Sequence, residues 1–182
     1  MKPGCRELLY GCLLLAALTP AHARGTYQTP EAFIDEVFGG ARPAPRKIWI
    51  KAELADAARA ILGHDLGVLR LSYWGAAGRT AWILDDIGKD QPITAGIVVN
   101  NGAIESVRVL IFRETRGWEV RYPFFTDQFK GATLRGKDQL DRGIDGISGA
   151  TLSVGALTRM ARLALLLHAH SADAQTGDAP PG

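Results

Sequence analysis

Apolar residues recur at helical spacing in three stretches of this chain. The first predicted helix covers residues 30–37, because Thr29 is a suitable N-cap and Pro30 fits the first turn. The second covers residues 52–62 and ends at Gly63. Its apolar face is formed by Leu54, Ala57, Ala58 and Ile61.

The third predicted helix is the longest and begins at about Thr151. Its apolar positions recur at helical intervals and are Leu152, Leu157, Met160, Leu163, Ala164 and Leu167. Residues 171–182 behind it are polar and contain Pro and Gly, which predicts a disordered tail. Residues 39–46, between the first two helices, form a Gly- and Pro-rich linker.

Two pairs of apolar stretches between the second and third helices have the pattern of β-hairpins. Residues 68–74 and 79–84 form the first pair, joined by Gly-Ala-Ala-Gly. Residues 93–99 and 104–112 form the second pair, joined by Asn-Asn-Gly. This order predicts an α+β domain, in which a small antiparallel sheet of two hairpins has flanking helices and a long C-terminal helix.

The N-terminal residues have the organisation of an export signal. Lys2 and Arg6 precede an apolar run over about residues 8–18, and Ala21 and Ala23 fit the small-x-small pattern of a cleavage site. The run is short for a membrane span, so cleavage and a periplasmic or other extracytoplasmic location are expected. An uncleaved segment that anchors the protein to the cytoplasmic membrane is the alternative.

The chain is long enough for one hydrophobic core and too short for two ordinary domains. The predicted parts are a signal peptide (1–23), an N-terminal helix and linker (24–46), one domain (47–170) and the tail (171–182). Lys and Arg number 21 against 19 Asp and Glu. This near balance argues against nucleic-acid binding, which requires a basic surface.

The sequence offers few groups for metal or thiol chemistry. Both cysteines, Cys5 and Cys12, lie in the predicted signal peptide, so the mature domain has no thiolate for a metal, an iron–sulfur cluster or a disulfide. His168 and His170 are two apart on a helix and form a poor metal pair. No dinucleotide-binding fingerprint is present, so NADH is not expected as a direct electron donor.

The segment Asp-Gly-Ile-Ser-Gly-Ala-Thr-Leu-Ser, residues 145–153, places a hydroxyl at the start of the third helix. Backbone N–H groups at a helix N-terminus stabilise a phosphate group. Small residues leave the hydroxyl of Thr151 open to a second protein; they are Ser148, Gly149 and Ala150. The same residues also suit an ordinary helix start with Ser or Thr as the N-cap. The local pattern is compatible with both interpretations.

This segment resembles the flavinylation motif of the FMN-binding domain in flavoprotein subunits of the Rnf complex and of the sodium-pumping NADH:quinone oxidoreductase. Glu-Thr-Arg-Gly at residues 114–117 and Phe-x-x-Gln-Phe-x-Gly at residues 125–131 follow the order and rough spacing of two further family segments. The similarity covers about residues 93–164. The first loop departs from the family's usual Pro-Gly-Leu-Gly continuation at Arg116, Trp118 and Glu119.

The resemblance implies the same fold and an FMN joined through its phosphate to Thr151 by a Mg-dependent, FAD-using flavin transferase. Asp145 is expected to serve recognition by the transferase, and Ser153 to contact the phosphodiester or cap the helix. Glu114 and Gln128 either bond the edges of the flavin ring or close backbone turns. The other residues expected at the cofactor are Thr115, Gly117, Trp118, Gly146, Ser148, Gly149 and Ala150.

The aromatic residues divide into core and candidate ring neighbours: Phe129 is expected in the core and Trp118 beside the flavin. The predicted function is electron transfer between membrane or periplasmic partners that carry haem, an iron–sulfur cluster or a quinone, without catalytic residues of its own. One alternative is a flavin-dependent reductase with His64 or Tyr122 as proton donor. The other is a flavin-free exported binding module.

Overall fold

The structure is a computed structural model and describes residues 25–171. The predicted signal peptide with Cys5 and Cys12, and the predicted tail after Ser171, lie outside the described residues. The helices are α1 (Pro30–Val37), α2 (Ala52–Leu62), α3 (Pro123–Thr126) and α4 (Thr151–Ala169). The strands are β1 (Gly25–Thr26), β2 (Arg46–Trp49), β3 (Arg70–Ala76), β4 (Arg79–Ile87), β5 (Pro92–Asn100), β6 (Ala103–Phe112), β7 (Leu134–Arg135) and β8 (Gln139–Leu140).

Six strands form one antiparallel sheet in the order β1-β6-β5-β4-β3-β2, and β7 pairs with β8 in a small separate sheet. The predicted α+β class and both predicted hairpins, β3–β4 and β5–β6, are confirmed. The hairpins are not separate units, because β4 and β5 also pair along their length, from Arg79 opposite Asn100 to Ile87 opposite Pro92.

The linker predicted over residues 39–46 extends one residue too far. Arg46 already belongs to β2, which pairs with β3 at the edge of the sheet. Of the four residues of β2 only Ile48 is buried, so the strand is too short and too polar to show an apolar alternation. Strand β3 also begins later than predicted, at Arg70, because Val68 precedes the paired residues.

The helix boundaries follow local signals. The Thr29 hydroxyl accepts a hydrogen bond from the backbone N–H of Ala32 at 3.2 Å and caps α1 as predicted. Helix α2 ends at Gly63, whose φ of 80° is the left-handed conformation that favours glycine. Helix α4 begins at Thr151, as the apolar periodicity predicts.

Helices cover both faces of the sheet. Phe33 and Ile34 of α1 pack on one face, and α2 and α4 pack on the other. Strand β5 lies between these two layers, and every residue over 93–99 is buried. Gly96 of β5 leaves room for Phe33, since a Cβ atom there would lie 2.6 Å from the aromatic ring. The two-sided covering explains why β5 is apolar throughout.

Helix α4 is the central helix of the larger core. It has the length and composition of a membrane span, but 67% of its most apolar window is buried inside the protein. Its C-terminal end is held by His168, which is buried and bonds the Thr80 hydroxyl at 2.8 Å through Nδ1. The N–H of Gly102 donates to Nε2 at 3.2 Å. This network fixes the direction of α4 toward the site at its other end.

Candidate functional site

The N-terminus of α4 has no side-chain cap. Ala150 occupies the N-cap position, so the alternative of an ordinary Ser or Thr cap is wrong. The backbone N–H groups of Thr151, Leu152 and Ser153 find no acceptor within residues 25–171. Three donors at the positive end of a 19-residue helix therefore have no acceptor among these residues and suit an anion.

Thr151 is the first residue of this helix, and its side chain is exposed. Its hydroxyl makes no hydrogen bond to any described residue. Gly149, two residues before it, has a φ of 80° and open space around it. At this position the turn therefore places no side chain beside the start of the helix.

A cavity of about 580 Å³ adjoins this hydroxyl. Three segments form its walls: the start of α4, the loop after β6 and the turn between β4 and β5. Its lining residues are Lys89, Glu114, Thr115, Arg116, Gly149, Ala150, Thr151, Leu152 and Ser153. The structure thus brings six residues of the predicted site into one cavity, namely Glu114, Thr115, Gly149, Ala150, Thr151 and Ser153. The prediction missed Lys89, Arg116 and Leu152. Lys89 lies outside the motifs, and Arg116 and Leu152 occupy variable positions within them.

Glu114 closes the β4–β5 turn. Its Oε1 accepts hydrogen bonds from the backbone N–H groups of Lys89, Asp90 and Gln91 at 2.6, 2.7 and 2.9 Å. Burial of this carboxyl acts to raise its pKa, but the three N–H donors outweigh burial and lower the pKa below the usual range. Of the two predicted roles, the geometry favours closing a backbone turn.

Gln128 also holds a backbone segment through its side chain, here at the start of the motif loop. Its side-chain Oε1 accepts a hydrogen bond from the backbone N–H of Asp145 at 2.7 Å, which ties the segment after α3 to the start of the motif loop. The carboxylate of Asp145 is exposed and has no partner among the described residues. Gly146 and Ser148 are exposed in the same loop, and none of these four residues lines the cavity.

Gly117 brings the loop after β6 into contact with α4. Its φ is 81°, and a Cβ atom there would lie 2.8 Å from Ser153 Oγ and 3.2 Å from the Cβ of Ala150. Only glycine satisfies both the backbone angle and this close approach. Gly117 therefore sets the wall opposite the start of α4, although it does not itself line the cavity.

Trp118 lies beside this wall and is half buried. Its ring meets that of Tyr122 edge to face at 5.6 Å, and the Arg121 guanidinium lies 5.1 Å from its centroid. Neither Trp118 nor Tyr122 lines the cavity. Phe129 is fully buried and packs on Phe125, which confirms the prediction that it belongs to the core.

His64 belongs to a charged cluster that the sequence did not reveal. The buried carboxylate of Asp86 accepts hydrogen bonds from Arg159 Nε at 2.7 Å and contacts His64 Nε2 at 3.0 Å. The pKa of His64 is raised, first by its hydrogen bond to the Asp65 backbone and next by its hydrogen bond to Asp86. Asp86 thereby joins the end of α2, strand β4 and α4. The one available sequence signal was an acidic residue within an apolar strand.

Replacement of Glu114 tests its role in the turn. Glu114→Ala is expected to lower the free energy of unfolding at pH 7 by about 3 kcal/mol, and Glu114→Gln by about 1 kcal/mol, because hydrogen bonds to a charged acceptor are the stronger ones. The folded pKa is lowered, so this stabilisation is present above the ordinary carboxyl pKa. It is lost as the pH falls through the folded value.

Urea unfolding at pH 7 and at about pH 3, below the ordinary carboxyl pKa of about 4.3, measures this effect. The difference between the wild-type protein and Glu114→Gln should shrink at the lower pH. The exposed Glu53 is the matched control, since Glu53→Gln should leave the unfolding midpoint nearly unchanged at both pH values. Equal stability of Glu114→Ala and the wild-type protein would show that the turn does not depend on this carboxylate.

Residues 88–166 match the family model of the FMN-binding domain. The matched range contains the β5–β6 hairpin, the loop after β6, the motif and most of α4, and therefore every lining residue of the cavity. No curated protein and no solved structure matches the chain. The resemblance seen in the sequence is confirmed over this range, and the match to an FMN-binding domain suggests that the protein binds a flavin.

Proposed function

We propose that this protein is an exported electron carrier whose FMN is attached by a phosphodiester bond to Thr151. The observation that carries the proposal is the position of the Thr151 hydroxyl. It is exposed, makes no described hydrogen bond and lies at the mouth of a cavity within the FMN-binding domain. An acceptor hydroxyl requires this combination of access for a second protein and space for the attached group.

The chemistry assigned to Thr151 is nucleophilic attack on the flavin-side phosphorus of FAD, bound to a separate transferase. A new bond forms between Thr151 Oγ1 and phosphorus, the pyrophosphate bond breaks and AMP leaves. The hydroxyl proton passes to a base of the transferase or to solvent. The protein gains one FMN less one water, and no oxidant or reductant is consumed.

The surrounding residues suit the product of this reaction. The N–H groups of Leu152 and Ser153 lie next to the attachment point and would donate to the phosphodiester oxygens. Ser153 is 4% exposed, makes no described hydrogen bond and lines the cavity, so its hydroxyl is available to the same oxygens. The exposed carboxylate of Asp145 lies six positions before Thr151 and is assigned to contact with the transferase.

A carrier is favoured over a reductase by the composition of the cavity. A bound flavin supplies one- and two-electron exchange. A reductase of a small molecule also requires a proton donor beside the ring. The two candidates, His64 and Tyr122, do not line the cavity, and His64 instead bonds the buried Asp86. The exposed side chain of Leu152 at the cavity offers an apolar contact to a redox partner with a haem, an iron–sulfur cluster or a quinone.

We further propose export to the periplasm or another extracytoplasmic compartment, based on the signal pattern of residues 1–23. Covalent attachment suits this location, because an exported protein cannot replace a lost cofactor from the cytoplasmic pool. N-terminal sequencing of the osmotic-shock fraction should give a first residue at or near Arg24. Full-length chain found only in the membrane pellet would replace the soluble carrier with an anchored one.

The central experiment is the intact mass of the mature protein made with and without an exported flavin transferase. We expect an added mass of one FMN less one water in the first case and the bare chain in the second. The yellow fluorescence should survive denaturing electrophoresis only in the first. An unmodified chain in the presence of a transferase that modifies a known acceptor would rule out the covalent proposal.

A further inference from the structure

Two cationic residues line the same cavity as the start of α4. Lys89 belongs to the β4–β5 turn and Arg116 to the loop after β6. The third ionisable residue of the lining is Glu114, whose Oε1 accepts three backbone N–H bonds. The cavity therefore contains two cations and one carboxylate already engaged by the protein, which gives it a positive potential.

Both cations are available to a ligand. Arg116 is exposed and makes no hydrogen bond or ion pair with any described residue. Lys89 Nζ lies 3.8 Å from the carboxylate of Asp90, but both side chains are about 70% exposed, and a pair of this kind contributes little.

The backbone that carries Lys89 is held on both sides. Glu114 binds three consecutive N–H groups of the turn, and the buried Asp86 at the end of β4 bonds Arg159 of α4. Arg159 also donates to the carbonyl of Ile87 at 3.1 Å. These contacts keep the turn at a constant distance from α4, so the ammonium group has only its own side-chain freedom to lose when it binds.

The start of α4, which lines the same cavity, is complementary to the same kind of ligand. It offers the three N–H groups at the start of α4 and the unpartnered, nine-tenths buried hydroxyl of Ser153. The N–H donors, the Ser153 hydroxyl and the two cations around one cavity form a built anion site. A cavity of about 580 Å³ has room for more than a phosphate group.

We infer that Lys89 and Arg116 recognise the phosphate of a flavin nucleotide and bind it before the covalent bond at Thr151 forms. This inference rests on the proposed function for the choice of a flavin nucleotide. It adds a non-covalent binding step, in which the domain itself selects FMN over riboflavin. Surface cations that serve solubility alone would give no such selection.

Thr151→Ala protein provides the test, because it cannot form the bond but retains the cavity. Binding of FMN and of riboflavin is followed by the change in flavin fluorescence at low salt, since the two probes differ only in the phosphate. FMN should bind at least about tenfold more tightly than riboflavin. In the same background, Lys89→Gln and Arg116→Gln should each weaken FMN binding by about tenfold and leave riboflavin binding unchanged.

Two surface cations outside the cavity serve as matched controls. Arg135 and Lys137 lie on or next to β7, are exposed and do not line the cavity, so their replacement by Gln should not change the preference. Thermal melting of each variant checks that the fold is retained. An equal affinity for FMN and riboflavin, or a double Lys89→Gln and Arg116→Gln variant with unchanged FMN binding, would overturn the inference.

The outcome is separable from that of the proposed function. Loss of FMN selection together with normal mass addition to the Thr151-containing protein would refute the cation site and leave covalent attachment standing. Selective FMN binding that depends on both cations, in a protein that the transferase never modifies, would support the cation site and refute covalent attachment. In that case, the domain would be a non-covalent FMN-binding protein.

Discussion

Thr151→Ala is expected to abolish the addition of FMN completely in protein made with an active flavin transferase. The change removes the only atom that forms the new bond and leaves the rest of the cavity intact. The fold should persist, because the Thr151 side chain is exposed, makes no described hydrogen bond and begins a helix in which alanine is well tolerated. Intact-mass measurement and the circular-dichroism spectrum check the two statements.

Thr158→Ala is the control for this variant. Thr158 lies on the same helix, but its hydroxyl donates to the carbonyl of Val154 at 2.8 Å and does not line the cavity. We expect full modification of Thr158→Ala and partial modification of Thr151→Ser, which keeps the hydroxyl but loses the methyl group that restricts its rotamer. A modified Thr151→Ala protein would place the attachment on another residue.

Gly149→Val is expected to give a folded protein that is modified at least about tenfold more slowly than the wild-type protein, a factor equivalent to about 1.4 kcal/mol in the barrier. Gly149 has a φ of 80° and nothing within 4 Å of a Cβ atom. The core therefore does not oppose the new side chain. The added valine would stand in the open space that leads to the Thr151 hydroxyl, and a β-branched residue disfavours the left-handed backbone.

Gly136→Val is the control that separates the effect of backbone strain from the effect of blocked access to Thr151. Gly136 lies between β7 and β8, has a φ of 72° and likewise has nothing within 4 Å of a Cβ atom. Gly136→Val should therefore show a similar loss of thermal stability with a normal rate of modification. If both variants are modified at the wild-type rate, the small residue before Thr151 has no role in access.

Local sequence signals accounted for α1, α2, α4 and the β3–β4 and β5–β6 hairpins, but not for α3 or the β7–β8 pair. Thr29 with Pro30, and Gly63, marked the limits of α1 and α2, because a cap and a left-handed glycine act within a few residues of the position they determine. The hairpin turns depended in the same way on neighbouring residues. Strand β2 escaped detection because its pairing with β3, and not its own apolar pattern, makes it a strand.

The motif around Thr151 was also readable from the sequence, because its residues are contiguous and the chemistry of a hydroxyl at a helix start does not depend on distant contacts. The sequence could not distinguish a Ser or Thr cap from an open helix end, since both use the same residue types. The placement of Ala150 at the N-cap decided between them. Likewise, the sequence left open whether Glu114 binds a ligand or closes a turn. Its three backbone N–H partners favour the turn.

What the sequence determined by itself was the α+β class, the main helix and hairpin positions and the segment that carries the candidate acceptor. Only the tertiary structure brought Lys89, Glu114 and Thr151 to one cavity, and only it joined Asp86 to Arg159. Within each of these two groups the residues are separated by 25 or more positions along the chain. Their proximity results from the pairing of β4 with β5 and the packing of α4 on the sheet, and no short-range pattern encodes such long-range contacts.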